Sequence, residues 1–255
     1  MARDRYFESE CIEIEPLCSN VRHIVFRRVD GEPLGYVPGQ FVMIHFEDAA
    51  GVQLNRSYSM AAAAPEDGTF ALCVKRVEGG LGSGLIHGLS VGDRITTSGP
   101  YGRFVLKQEL PKDVVLVATG TGAAPFHAMV GQLEEAMATG TRVWLLLGVR
   151  FADEVLYDGE WRALAARQPA FRYLPTVSRT RPNDGWDGAW GYVRELLPEV
   201  LAAIDVNDTL TWLCGVPAMI DEVRTALAEA GVPARAIKTE KYVSPPPPKG
   251  AAERA

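Results

Sequence analysis

The chain has 255 residues, 47% of them hydrophobic and 23% charged, with a formal net charge of -6 at neutral pH. That length supports one large or two ordinary domains, and an acidic balance with scattered basic residues argues against nucleic acid as a partner. No apolar run approaches the ~18 residues that span a bilayer, and Met1-Ala2-Arg3-Asp4-Arg5 leads into no signal segment, so a cytoplasmic address and a soluble monomer are expected.

Through about Leu110 the chain reads as short strands broken by turns. His23 to Arg27, Gln40 to Phe46, Thr69 to Val77 and Asp93 to Thr97 are strand candidates, separated by Asp30-Gly31, Val37-Pro38-Gly39, Asp67-Gly68 and Ser98-Gly99-Pro100. Strands at this spacing predict a small antiparallel β-barrel, with one helical insert at Gly84 to Leu89. Within it, Arg56-Ser57-Tyr58-Ser59 gathers a fixed cation, a flat ring and two hydroxyls in four residues. In an extended chain Arg56 and Tyr58 share one face and Ser57 and Ser59 the other. A guanidinium pairs with phosphate and a phenol stacks on a heterocycle; a half-buried strand with a surface arginine is the plainer reading.

After Pro111 the rhythm becomes strand, helix, strand, helix. The strands are Val114 to Ala118, Val143 to Gly148, Phe171 to Val177, Leu210 to Cys214 and Ala236 to Thr239. The helices are Pro125 to Ala138, Glu160 to Gln168, Val193 to Ile204 and Pro217 to Ala230. Such alternation builds an α/β doubly wound parallel sheet, with ligands outside the carboxyl ends of its strands. The expected organisation is therefore a barrel domain over 1–110, an α/β domain over 111–243, and a Pro-rich flexible tail over 244–255 that is either solvated or a polyproline ligand.

Gly120-Thr121-Gly122-Ala123-Ala124-Pro125-Phe126 joins the first parallel strand to its helix. Glycines permit the tight turn and leave the first helical N–H groups facing an anion; the same turn also serves simply to pack a helix on a sheet. Cys11, Cys18, Cys73 and Cys214 match no zinc or iron-sulfur spacing, and His23, His45, His87 and His127 show no metal-binding pattern, so no metal is expected and the histidines read as surface or packing residues.

The ordered set Val37-Pro38-Gly39-Gln40-Phe41, Arg56-Ser57-Tyr58-Ser59, Gly120 to Phe126 and Cys214-Gly215 resembles the ferredoxin-NADP(+) reductase family of FAD-dependent oxidoreductases over residues 7 to 243. Gly99 to Phe104 and Glu240-Lys241-Tyr242 are most similar to the bacterial ferredoxin reductases and the flavin modules of oxygenase reductases. The resemblance implies an FAD-binding barrel and an NAD(P)H-binding α/β domain. It implies that Arg56 holds the FAD pyrophosphate, Tyr58 stacks on the isoalloxazine, Ser59 bonds near N5, and Ser57 is among the FAD-binding residues. Val74, Lys75, Gly80, Gly82 and Ser83 follow the ribityl chain and pyrophosphate, although the glycine run also reads as a flexible loop. Gly120, Thr121 and Gly122 cradle the NAD(P)H pyrophosphate, with Gly215 alongside. Cys214 stands beside the nicotinamide C4, or is a small buried hydrophobe. Glu240 orients the nicotinamide or relays protons, and Tyr242 covers the flavin, so Ser59, Cys214 and Glu240 form the implied catalytic set.

Ser178, Arg179 and Arg181 at the end of the third parallel strand resemble a 2'-phosphate site, which favours NADPH; Asp184 and Asp187 leave NADH open, and Arg150 serves either. With no cysteine cluster of its own, the chain is expected to pass electrons to a separate ferredoxin or flavodoxin. Against this, residues 1–110 hold 11 Lys/Arg and 14 Asp/Glu, so a basic docking face would need a local patch such as Arg22, Arg27, Arg28 and Arg103. The alternatives are a reductase component serving an oxygenase or free flavin, and a flavin-bearing relay or regulatory subunit of a larger complex.

Overall fold

A computed structural model describes residues 6–63, 65, 67–179 and 185–242. The first half holds β1 (Tyr6–Cys18), β2 (Val21–Arg28), β3 (Phe41–Glu47), β4 (Gln53–Ser59), β5 (Thr69–Lys75), α1 (Leu81–Gly88) and β6 (Arg94–Tyr101). All pairings are antiparallel, in the order β4-β3-β6-β1-β2-β5. The two edges meet where the chain leaves β4: Met60 bridges Leu72, and the Ala61 N–H donates to the Ala71 carbonyl at 2.8 Å. This curls the sheet into a barrel around Cys11, Ile24, Phe26, Val42, Ile44, Met60 and Leu72.

The long first strand is the barrel element that the sequence does not announce. Glu8, Glu10, Glu13 and Glu15 lower its strand propensity, yet Phe7, Ser9 and Cys11 alternate inward on a two-residue period. Helix α1 begins at Leu81, three residues before the expected Gly84, because the glycine-rich lead-in carries little helical signal.

The second half holds β7 (Asp113–Thr119), α2 (Ala124–Ala128), α3 (Val130–Ala138), β8 (Arg142–Val149), α4 (Asp158–Arg167), β9 (Phe171–Val177), β10 (Ala189–Trp190), α5 (Leu197–Ala203), β11 (Thr209–Gly215), α6 (Pro217–Glu229) and β12 (Ile237–Lys241). The sheet is parallel throughout, in the order β10-β9-β8-β7-β11-β12. The helix expected over Pro125 to Ala138 is two, divided at Met129, and Val193 to Ile204 opens with a 3-10 turn before α5. The two-residue strand β10 carries no apolar run and was not expected.

Strand order reverses at β7, since the chain steps outward through β8 and β9 on one side and β11 and β12 on the other. A doubly wound sheet binds its ligand at that switch, here the carboxyl ends of β7 and β11. Val115 and Val117 of β7 face α5 and α6. Val114, Leu116 and Ala118 face a layer containing Leu133 and Trp161, and the same layer takes in Val21, Ala61, Cys73 and Phe104 of the barrel. One core therefore runs across the junction and fixes the halves against each other. Among the described residues no helix is long and apolar enough to cross a membrane.

Candidate active site

The two halves enclose a cleft of about 1510 Å³ lined from both sides, larger than the ~300–1,000 Å³ of a single small-molecule pocket. On the barrel side, Arg56 and Tyr58 are half-buried and Ser57 is exposed, as the period of β4 requires. All four residues from Arg56 to Ser59 border the cleft, as do Val74 and Lys75 at the end of β5. Burial pushes the Tyr58 phenol up to about 12, so the ring stays neutral.

Helix α1 lays its N-terminus on these side chains. A Cβ on Gly82 would lie 2.7 Å from Arg56 Cγ and 3.1 Å from the Tyr58 hydroxyl, so only glycine allows the approach. Gly80 at the N-cap has no side-chain cap, while Ser83 Oγ accepts from the Val77 N–H at 3.0 Å and donates to the Gly80 carbonyl at 3.2 Å. The first N–H groups of α1 thus face the cleft beside Arg56, whose guanidinium donates to the Asn55 carbonyl at 2.6 Å. Uncapped amides beside a guanidinium make an anion cradle on the barrel wall.

The opposite wall is built from two interlocked turns. A Cβ on Gly122 would sit 2.2 Å from the Cys214 carbonyl oxygen, and one on Gly215 (φ +144°) would sit 2.1 Å from Thr119 Oγ1. Thr119 Oγ1 also accepts from the Val216 N–H at 3.1 Å. Gly120, Thr121 and Gly215 border the cleft, whereas Gly122 and Cys214 stand behind that surface. Gly122 therefore serves the close packing of β7's turn on β11, and the glycine pair has the packing role and the cradle role divided between its members.

At the centre the halves touch. Ser59 Oγ donates to Glu240 Oε1 at 2.5 Å, and the Tyr242 hydroxyl donates to Ser59 Oγ at 3.0 Å. Glu240 lies opposite Cys214 in the β11–β12 register, and the Tyr242 N–H donates to the Gly215 carbonyl at 2.8 Å. Tyr242 also hydrogen-bonds with the Cys214 thiol. Burial raises the Glu240 carboxyl above its ordinary value, opposed by the bond from Ser59. Burial, then the Glu240 charge, raises the Cys214 thiol far above its usual range. A fully buried thiol in that state is a neutral packing and hydrogen-bonding group, not a thiolate nucleophile.

Arg150, Ser178 and Arg179 border the far end of the cleft. The Ser178 N–H bonds the Val149 carbonyl at 3.0 Å and the Arg179 N–H bonds the Arg150 carbonyl at 2.8 Å, which holds the loops after β8 and β9 side by side. Tyr192 and Arg194 join this wall without any signal in the sequence pattern, Arg194 lying 3.8 Å from Glu222. Asp187 turns away to pair with Arg162 at 3.2 Å in a separate hollow. Arg181, Asp184 and the tail 244–255 lie outside the described residues. Arg28, one of the four arginines considered for a docking patch, is paired with Asp30 at 2.5 Å. No group of three or more potential metal ligands occurs among the described residues.

The chain matches the family model described as oxidoreductase FAD-binding domain over residues 9–106 and that described as oxidoreductase NAD-binding domain over residues 116–225. Barrel, switch-point sheet and shared cleft define a flavin-dependent, nicotinamide-dinucleotide-binding oxidoreductase. Ferredoxin--NADP reductase B of Sorangium cellulosum is 35% identical over 241 residues, which is 92% of this chain and 97% of that protein. The phenol hydroxylase P5 protein of Acinetobacter pittii is 30% identical over 93% of this chain, which spans 66% of that protein's length. A ferredoxin NADP+ reductase from Neisseria gonorrhoeae shares the fold, with a TM-score of 0.79, 22% identity and coverage of 94% of this chain and 99% of that one. The chain belongs to the ferredoxin–NADP reductase family of FAD-dependent oxidoreductases.

Proposed function

We propose that the protein moves electrons between NADPH and a separate one-electron carrier, a ferredoxin or flavodoxin, with residues 1–110 and 111–243 as its flavin and nucleotide domains. The observation that carries this reading is the bond from Ser59 to Glu240, which brings the flavin wall and the nicotinamide wall to one point. Bound FAD supplies the conversion between two-electron hydride chemistry and one-electron release.

The chain's residues fit that cofactor. Arg56 and the first N–H groups of α1 would hold the FAD pyrophosphate, with Gly80, Gly82 and Ser83 shaping the approach and Tyr58 offering its neutral ring face. Val74, Lys75 and Ser57 would border the same molecule. Across the cleft, Gly120, Thr121 and Gly215 would hold the nicotinamide nucleotide. Gly122 and Cys214 would support that wall from behind, the Cys214 thiol bonding Tyr242. Ser59 and Glu240 would orient the nicotinamide edge and hold a proton between them.

The cationic wall of Arg150, Arg179 and Arg194 with the Ser178 hydroxyl supports NADPH, and the pairing of Asp187 with Arg162 removes one acidic side chain that would have favoured NADH. The likeness to the Sorangium reductase over nearly its whole length supports the ferredoxin reading. A second reading, a reductase component delivering electrons to an oxygenase, is supported by the phenol hydroxylase relative. Four free cysteines accord with a cytoplasmic address. NADPH-driven cytochrome c reduction, with and without added ferredoxin, separates the readings. Stimulation by ferredoxin is expected, and full activity toward free flavin with no effect of ferredoxin would contradict it.

A further inference from the structure

A second contact joins the halves next to the cleft, whose lining includes Cys73. His127 on α2 has Nδ1 at 2.5 Å from the Ala61 carbonyl oxygen and Nε2 at 2.8 Å from Glu160 Oε2 on α4. A carbonyl and a carboxylate are both acceptors, so the ring is held between the barrel carbonyl of Ala61 and the carboxylate of α4. It stacks on Tyr157 with centroids 4.0 Å apart and planes at 15°. Tyr157 holds a left-handed backbone (φ 59°) that is uncommon for so bulky a residue. Its hydroxyl lies 3.0 Å from His23 Nδ1 on β2 and hydrogen-bonds with Cys73 on β5. Barrel and nucleotide half are thus stitched by His23, Ala61 and Cys73 on one side and by His127, Tyr157 and Glu160 on the other.

We propose that His127 is a positioning residue for hydride transfer, setting the distance and tilt between the two cofactor walls; the inference rests on the flavin–nicotinamide reading above. Its leverage comes from where it is tied. Ala61 lies two residues past Ser59, and Met60 and Ala61 between them are fully buried and bonded to β5. His127 follows the Gly120 turn by a single turn of buried chain that includes Pro125 and Phe126. A shift at either anchor passes into the close-packed segment beside it, and hence to Ser59 or to the nucleotide cradle. Misplacement by about 1 Å lowers a transfer rate by up to ~100-fold.

Side chains from both halves enclose the ring. Ala61, Glu160, Tyr157, Trp161 and His23 face it, with Glu13 and Glu15 beyond His23.

The test uses the full FAD-loaded chain and the variants His127→Ala and His127→Asn. Anaerobic stopped-flow should show His127→Ala reducing its flavin at least about tenfold more slowly at saturating NADPH, with FAD content and NADPH affinity close to wild type. His127→Asn, whose amide can still donate to Ala61, should recover most of the rate. Hydrogen exchange gives a readout without turnover: His127→Ala should raise deuterium uptake in peptides covering 59–61 and 120–127 and leave β8 unchanged. Wild-type uptake at both segments, or a rate loss that merely follows lost FAD, would overturn the proposal. If neither nucleotide reduces the wild-type protein, the functional reading fails, while the exchange result still decides the tie.

Discussion

Removing the Ser59 hydroxyl cuts the junction at its centre. Oγ donates to Glu240 Oε1 at 2.5 Å and accepts from Tyr242 at 3.0 Å, so Ser59→Ala breaks two bonds that cross between the halves. A hydrogen bond to a charged acceptor contributes about 1.5–3 kcal/mol. Glu240 is only partly buried, so the lower end applies, about 1.5–2 kcal/mol for the pair. In a chain of this size each kcal/mol moves the midpoint by roughly 2–4 °C, which gives a Tm lower by about 3–8 °C. Ser59 is also the group that opposes burial at Glu240, so its loss raises the carboxyl further. Flavin reduction should slow by about tenfold, since 1.4 kcal/mol of lost orientation is one decade in rate, while FAD stays bound. Differential scanning calorimetry and anaerobic stopped-flow on the same preparation measure both effects. A variant that melts within about 1 °C of wild type and reduces its flavin at the wild-type rate would refute the reasoning.

Three other perturbations separate binding, protonation and stability. Arg179→Ala should weaken NADPH by about 1.5–3 kcal/mol, the value of a charge-assisted contact, and barely affect NADH, as measured by calorimetric titration; equal losses would remove the 2'-phosphate assignment. Glu240→Gln should flatten the pH dependence of stability. Because the folded carboxyl titrates above its ordinary value of 4.5, its contribution is fully present below that value and lost as pH rises through the folded pKa. The difference in Tm between the variant and wild type should therefore grow in the variant's favour with rising pH above 4.5. Asp113, fully buried, accepts from Arg142 at 2.7 Å and from Trp144 Nε1 at 3.5 Å at the far end of the sheet: Asp113→Ala leaves a buried donor unpaired and should destabilise by about 1–3 kcal/mol in a denaturant titration, with the reduction rate per bound flavin unchanged.

The parallel sheet was legible because its strands are buried on both faces. Val114 to Ala118 and Val143 to Gly148 read as continuous apolar runs, and the Gly120 turn marks the switch point where they end. The barrel was legible from its turns, but β1 was not, because glutamates hide the inward alternation of Phe7, Ser9 and Cys11. The site showed as separate motifs whose shared meaning came from a family resemblance. The sequence does not reveal that Ser59 reaches Glu240 across 181 positions, nor that Tyr192 and Arg194 complete the far wall. His127 read as a surface or packing histidine because Ala61 and Glu160, which hold its ring, lie 66 and 33 positions away. Contacts made only by tertiary closure leave no periodicity to read.

The central claim is that one cleft brings a flavin and a nicotinamide together for electron transfer. An anaerobic titration of the FAD-loaded protein with NADPH and with NADH, followed by flavin absorbance, tests it most directly. The account predicts that NADPH bleaches the flavin stoichiometrically and at lower concentration than NADH. A flavin that neither nucleotide bleaches would contradict it.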